Sequence, residues 1–241
     1  MQRFADPSHI LITGASSGIG AALALAYAST GRSLSLSGRN ADRLNGVATQ
    51  CRAAGALCTT DLMDVTDNDA MADWLAAADA RQPLDLVVAN AGISAGTIKL
   101  GNAPDASDAE LFATNVDGVV NTVEPVLPAM LAREQGQIAI MASLASFRAF
   151  PTAPAYCASK AAVRFYGEGL RRAHRKTGVG ISVISPGFVR SPMTDANDFH
   201  MPLLMDADRA ARIIQRGLAS GRARIAFPLP LYLAVRAMGL S

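Results

Sequence analysis

Short apolar runs alternate along this chain with longer stretches in which apolar positions recur every three or four residues. The runs at 10–13, 33–37, 56–60, 84–89, 137–142, 181–185 and 224–227 are too short for stable helices and read as strands. Between them, 19–29, 41–54, 67–80, 105–133, 153–176 and 206–220 are long and periodic enough for helices. Strands that alternate with helices build a parallel sheet, because each crossover lays its helix on a face of the sheet. The expected fold is α/β, a doubly wound sheet of seven parallel strands with helices on both faces. Pro125 and Pro128 fall inside the fourth helical stretch and should kink or shorten it, since each lacks an amide donor and crowds the preceding turn. No repeat or biased linker interrupts the pattern, so residues 1–241 are expected to form a single domain.

Composition narrows the classes. Half of the residues are hydrophobic, 17% are charged and the formal net charge is +2, which suits a folded domain and is too mild for nucleic acid. The densest basic cluster, Arg171-Arg172-Ala173-His174-Arg175-Lys176, reads as the solvated last turn of a helix, where the dipole favours cations. Cys51, Cys58 and Cys157 form no Cys-x-x-Cys pair and fit a reducing compartment. His9, His174 and His200 lack the pairings of a zinc site, so no metal is expected. The patch Ile10-Leu11-Ile12 is too short for a signal h-region, and the expected location is cytoplasmic.

Two local patterns carry chemistry. The first strand runs directly into Thr13-Gly14-Ala15-Ser16-Ser17-Gly18-Ile19-Gly20 and then into an Ala/Leu-rich helix. Glycines there let the backbone turn tightly and approach a pyrophosphate, whose charge the amides and dipole of a helix N-terminus hold. With a strand before it and a helix after it, the loop reads as a dinucleotide site on a Rossmann-like sheet. Its spacing is Gly-x-x-x-Gly-x-Gly, unlike the ordinary Gly-x-Gly-x-x-Gly. The second pattern is Tyr156-Cys157-Ala158-Ser159-Lys160. On a helix, phenol and ammonium share one face with Cβ atoms roughly 5–6 Å apart. At about 5 Å and an effective dielectric of about 20, the charge is worth on the order of 3 kcal/mol, roughly two units off a tyrosine pKa near 10. A tyrosine tuned that far exchanges protons near neutrality. Cys157 between them reads as a small buried hydrophobe.

Taken in order, these motifs resemble the short-chain dehydrogenase/reductase family, whose commonest branch carries Thr-Gly-x-x-x-Gly-x-Gly. Asn90-Ala91-Gly92 ends the fourth strand, Asn115 lies in the helix that follows, Ser143 precedes Tyr156 by thirteen residues and Pro186-Gly187 follows the sixth strand. The match spans about residues 10–195. The resemblance implies that Tyr156 is the general acid/base and that Lys160 lowers its pKa and bonds the nicotinamide ribose. It further implies that Ser143 holds the substrate oxygen and that Asn115 holds a water linking Lys160 to solvent. The implied cofactor site comprises Gly14, Ser16, Ser17, Gly18, Ile19 and Gly20 in the loop, then Arg39, Asp64 and Val65, then Asn90, Ala91 and Gly92. Tyr156, Lys160, Pro186, Gly187, Val189 and Ser191 complete it, with Ser191 where the family tends to place Thr. Asn90 reads mainly as a sheet-stabilising amide, and Asp64 either as an adenine contact or as a helix cap before Thr66. A homodimer or homotetramer through the fourth and fifth helical stretches is also implied. The cofactor half would cover about 1–135, and the catalytic and substrate half about 136–205.

The nicotinamide cofactor follows from charge. An NAD site places a carboxylate about 20 residues beyond the glycine loop for the ribose 2′-hydroxyl, whereas an NADP site offers Arg. No acidic residue lies between Gly20 and Asp42, and the second strand ends in Ser37-Gly38-Arg39-Asn40, so NADP(H) is favoured; NAD(H) stays open if Arg39 only stacks on adenine. A lid at 193–205 with Phe199, Met201, Leu203 and Leu204, flanked by Phe147, Phe150 and Phe188, favours an apolar small-molecule carbonyl or alcohol. Polar contacts could come from 94–97. The apolar segment at about 227–241 is too short to span a bilayer. It is a final strand with a docking helix, a subunit contact or an interfacial membrane helix. A catalytically silent regulator or scaffold of this fold would be expected to lose Tyr156, Lys160 or Ser143, and all three are present.

Overall fold

The computed structural model describes residues 4, 6–94, 106–195 and 197–239. Its strands are β1 (His9–Ile12), β2 (Ser33–Gly38), β3 (Leu57–Leu62), β4 (Leu86–Ala89), β5 (Gly136–Met141), β6 (Val179–Pro186) and β7 (Arg224–Phe227). They form one parallel sheet in the order β3-β2-β1-β4-β5-β6-β7. Between them run α1 (Gly18–Tyr27), α2 (Ala41–Ala53), α3 (Asn68–Arg81), α4 (Asp108–Phe112), α5 (Gly118–Val123), α6 (Leu127–Ala132), α7 (Pro154–Ala173), α8 (Pro192–Asp195) and α9 (Ala207–Ala219), and α10 (Leu229–Met238) closes the chain.

The central strands carry near-continuous apolar runs because both faces are covered. Ile10, Ile12, Leu34 and Leu36 turn to one face, with Leu23, Leu44 and Ile214 from α1, α2 and α9. Leu11, Val87, Ile138 and Ile140 turn to the other, with Met71, Leu75, Val119 and Val163 from α3, α5 and α7. Each such fully buried side chain is worth roughly 1.5–3 kcal/mol of transfer free energy. The strand order reverses between β1 and β4, and a crevice opens at the carboxyl ends of the strands at such a point.

The fourth helical stretch is where the pattern was least informative. Instead of one helix over 105–133, the structure has α4, a π-helical turn at Ala113–Asp117, α5 and α6, with residue 105 outside the described residues. Pro125 lies in the turn between α5 and α6, and Pro128 falls in the first turn of α6, where its missing N–H is not needed. The π turn leads into α5, which packs against the loop after β3. A Cβ on Gly118 would come within 2.4 Å of Val65 Cγ2.

Two other expectations are refined. Arg171 is not simply solvated: its guanidinium donates to the carbonyls of Ile181 (2.6 Å) and Gly221 (3.1 Å), stapling α7 to β6 and to the turn before β7. The C-terminal segment is a last strand followed by a docked helix. Tyr232 on α10 meets Phe147 edge-on at 5.3 Å and accepts a bond from Arg224 of β7 at 3.0 Å. Among the described residues, no helix is long and apolar enough to cross a membrane.

Candidate active site

The glycine loop is held open from behind. Thr13 Oγ1 accepts from the amides of Asn90 (3.0 Å) and Ala91 (3.2 Å), while Asn90 Nδ2 donates to the carbonyls of Thr13 (2.9 Å) and Gly14 (3.1 Å). Asn90 therefore ties the exits of β1 and β4, as the sequence suggested. Gly14 adopts φ +65°, and a Cβ there would lie 2.8 Å from Ala91 Cα. Gly18, at φ +54°, faces Ser191, whose Cβ would be 3.0 Å from any side chain at that position. Ser17 caps α1 without its side chain accepting a bond, and no acidic residue stands in the first turn. A helix start with open amides and no carboxylate, behind a loop that only glycine can form, fits a pyrophosphate.

In front of this loop lies a cavity of about 960 Å³. Every residue expected to bind the cofactor lines it except Gly20. Gly20 stands behind the loop, where a Cβ would come within 2.3 Å of the Gly14 carbonyl oxygen, so its part is to let α1 pack. At the β2–β3 end the wall is Arg39, Asn40, Arg43, Asp64 and Val65. Asp64 accepts from the amide (3.0 Å) and hydroxyl (2.8 Å) of Thr66, and the cap of α3 is Asp67 instead. The Thr66 amide holds the Asp64 carboxyl below the usual range, and the Arg39 guanidinium adds to this. Arg43 escaped the sequence reading, although its position three residues after Asn40 places it in the first turn of α2, beside Arg39. Asn40 caps that turn by accepting from the Arg43 amide at 2.9 Å.

At the β5–β6 end, Ser143 follows β5 and Tyr156 stands in the first turn of α7, which Pro154 starts. Burial in the wall pushes the Tyr156 phenol above its ordinary value, and its bond with the Ser143 hydroxyl pulls it back. This is the reverse of the direction expected from the Tyr156/Lys160 spacing. The reason is burial, which spacing does not convey; Lys160 Nζ lies 5.9 Å from the Tyr156 ring centroid and donates to the Met141 carbonyl at 3.1 Å. Burial brings the Lys160 ammonium down to about 8. Cys157 is buried, and its thiol is raised by that burial and accepts the Phe150 amide at 3.4 Å, which suits packing rather than redox chemistry.

Asn115 is fully buried in the π turn and does not itself line the cavity. Its Oδ1 accepts the Ile93 amide (2.8 Å), and its Nδ2 donates to the Ile93 carbonyl (2.9 Å) and to Ser159 Oγ (3.2 Å). Ser159 in turn donates to the Tyr156 carbonyl at 2.9 Å, so one buried amide joins the exit of β4 to α7. Gly92 fits between Asn115 and Lys160, since a Cβ there would lie 3.0 Å from Asn115 Oδ1 and 3.2 Å from Lys160 Nζ.

The outer part of the cavity is apolar. Phe150, Phe188 and Phe199 line it, the last two edge-on at 5.8 Å. Phe147, Met201, Leu203 and Leu204 do not. Phe147 instead packs against Tyr232 and the guanidinium groups of Arg164 and Arg224. Ser94 lines the cavity, and 95–97 lie outside the described residues. Leu231, Val235 and Met238 of α10 complete this wall, a contribution no local sequence signal marks.

Comparison with known proteins gives the arrangement a family. The model of the short chain dehydrogenase family matches residues 8–201. An uncharacterized oxidoreductase from Myxococcus xanthus is 39% identical over 227 residues, covering 94% of this chain and 89% of that protein. Among solved structures, a short chain dehydrogenase/reductase from Burkholderia phymatum in complex with NAD superposes with a TM-score of 0.86 at 27% identity, covering 98% of this chain and 94% of that one. A short-chain dehydrogenase from Sphingobium yanoikuyae in complex with NADPH shares the fold, with a TM-score of 0.84 at 24% identity and coverage of 96% and 91%. A loop of this glycine spacing and a Ser143, Tyr156 and Lys160 wall, in a chain matched over most of its length, place the protein in the short chain dehydrogenase family, as an oxidoreductase with a nicotinamide cofactor site.

Proposed function

We propose that this protein is an NADP(H)-dependent oxidoreductase that interconverts a carbonyl and a secondary alcohol on an apolar small molecule. The observation that carries the reading is the pairing of the Tyr156 and Ser143 hydroxyls, with the Lys160 ammonium behind them, in the cavity onto which the open start of α1 also faces. The nicotinamide, when bound, supplies or accepts the hydride. Tyr156, raised by burial, holds its proton at neutral pH and gives it to the substrate oxygen in reduction. Ser143 donates to the same oxygen and steadies the charge that grows on it. Lys160 supplies the positive charge behind the phenol and a donor for the ribose. Because the Asn115 amide is spent on Ile93 and Ser159, its part in a water relay to Lys160 falls to its main-chain carbonyl.

The preference for NADP(H) rests on Arg39 and Arg43 at the β2 end of the cavity and on the absence of any acidic residue between Gly20 and Asp42. Two guanidinium groups suit a 2′-phosphate, and the end of β2 offers no carboxylate to a bare 2′-hydroxyl. Titration of the purified protein should give at least tenfold tighter binding of NADPH than of NADH, and removal of both arginines should erase the difference. Equal affinities in the unaltered protein would sink the preference. A cytoplasmic location and a homodimer or homotetramer belong to the same reading. Phe112 on α4 and Phe165 on α7 support the assembly, since both are exposed on helices that the family uses for subunit contacts.

The reaction is tested by following NADPH absorbance against a panel of ketones and aldehydes. Tyr156→Phe should cut turnover by roughly 10²–10⁴-fold with little change in NADPH affinity. Undiminished reduction by that variant overturns the mechanism.

A further inference from the structure

We infer that α10 is the specificity wall of the substrate site and selects neutral, elongated apolar ketones or alcohols over charged ones; this rests on the oxidoreductase reading above. Leu231, Val235 and Met238 are spaced by four and three residues, so they form one stripe on the helix. All three line the cavity. The stripe runs about 10 Å. It begins at Gly187, where Leu231 Cδ2 would be 3.0 Å from an added Cβ, and ends at Met238, a residue 41% exposed. A chain-like substrate can therefore lie along it and reach solvent.

Charge is distributed unevenly in this cavity. Among the described residues lining it, Arg39, Arg43 and Asp64 stand at the β2–β3 end, and the remaining charge is Lys160, buried behind Tyr156. The polar groups in the rest of the lining, Ser143, Thr152, Tyr156, Thr194 and Asn197 among them, carry no charge. A carboxylate laid against the stripe would lose water and find no cation. Arg148 stands 6.0 Å from the Phe150 ring centroid and is not part of the lining. The wall is also fixed in place. Tyr232 accepts from Arg224, its ring abuts Phe147, and the Gly187 amide donates to the Phe227 carbonyl at 2.7 Å just before α10.

The test compares 2-butanone, 2-decanone and 5-oxohexanoate, whose carboxylate falls part-way along the stripe, as substrates with NADPH. In parallel, calorimetry follows binding of 2-decanol and 5-hydroxyhexanoate to the protein saturated with NADP+. The unaltered protein should favour 2-decanone over 5-oxohexanoate by at least tenfold in kcat/KM, and 2-decanol over the hydroxy acid by a similar factor in affinity. Leu231→Ala should lower the ratio of 2-decanone to 2-butanone at least tenfold, in line with the worth of a few methylenes in an apolar pocket. Leu231→Arg should cut the preference against the carboxylates at least tenfold, and Met238→Arg, at the exposed end of the stripe, should do the same without entering the core. NADPH affinity serves as the check of folding. Binding of 2-decanol without any oxidation leaves the wall standing and removes the oxidoreductase reading. Failure to bind 2-decanol, equal binding of the two alcohols, or a carboxylate preference that Arg148→Ala abolishes overturns the inference.

Discussion

At the scale of single residues, the Tyr156/Lys160 pair shows what spacing conveys and what it omits. Four residues on a helix placed both groups on one wall, but spacing says nothing about burial or about the Met141 carbonyl that engages Nζ. Burial lowers Lys160 to about 8, against about 10.4 in an unfolded chain. Below pH 8 the native protein carries the full cost of a desolvated ammonium. Between about pH 8 and 10.4 the unfolded chain holds the extra proton, so this contribution to stability improves as pH rises. The two-unit gap corresponds to about 3 kcal/mol at pH 7, less about 1 kcal/mol for the bond to Met141 that a substitution loses. Lys160→Met is therefore expected to raise the melting temperature at pH 7 by roughly 4–8 °C while reduction activity collapses. Calorimetric scans and a ketone assay on the same preparation check it; a variant both inactive and less stable would show that the buried ammonium does not burden the fold.

At the scale of elements, strands and helix starts were legible because their signals are local. Apolar runs marked all seven strands to within a few residues, and the periodic stretch at 153–176 placed the start of α7 within one residue. The π turn was not legible, since its apolar positions repeat like those of an ordinary helix. It is accompanied by a tertiary contact, the approach of α5 to Val65. It buries Asn115 where the side chain reaches both Ile93 and Ser159, a frequent use of such bulges. Gly118 permits that approach. Gly118→Ala forces a methyl to within 2.4 Å of Val65 Cγ2, and overpacking of this kind costs typically 1–3 kcal/mol. Because Val65 also lines the β3 end of the cavity, the same substitution should weaken NADPH binding several-fold. Denaturant melts and a fluorescence titration measure the two effects, and destabilisation with unaltered affinity would separate the π turn from the cofactor site.

At the scale of the whole molecule, the sheet is closed at its amino edge by a residue that the sequence offered only as a scattered histidine. His9 begins β1 with its side chain buried, Nδ1 2.7 Å from the Gln82 carbonyl after α3 and Nε2 3.0 Å from Ser35 Oγ on β2. Its amide donates to Asp85 at 3.0 Å, so His9 joins two distant parts of the chain to the start of β1, the 82–85 loop and β2. No local pattern encodes such a junction, because the 82–85 loop and β2 are brought to His9 by the strand order. Burial depresses His9 below 6.5; the Gln82 carbonyl, Asp85 and Asp79 oppose that shift, and Arg81 adds to it. With its folded pKa depressed, the unfolded chain binds the proton first as pH falls. The contribution of neutral His9 is thus complete above about pH 6.5 and is lost on acidification toward its folded value. Asp85 is also depressed, but from a carboxylate value of 3.8, so its own loss falls at more acidic pH and the two are separable. The melting temperature of the unaltered protein should fall between pH 7.5 and 5, and His9→Asn should be less stable at pH 7.5 but nearly flat over the same range. An unaltered protein whose melting temperature does not change from pH 7.5 to 5 would mean that the junction tolerates the imidazolium, with Asp85 and Asp79 close enough to compensate its burial.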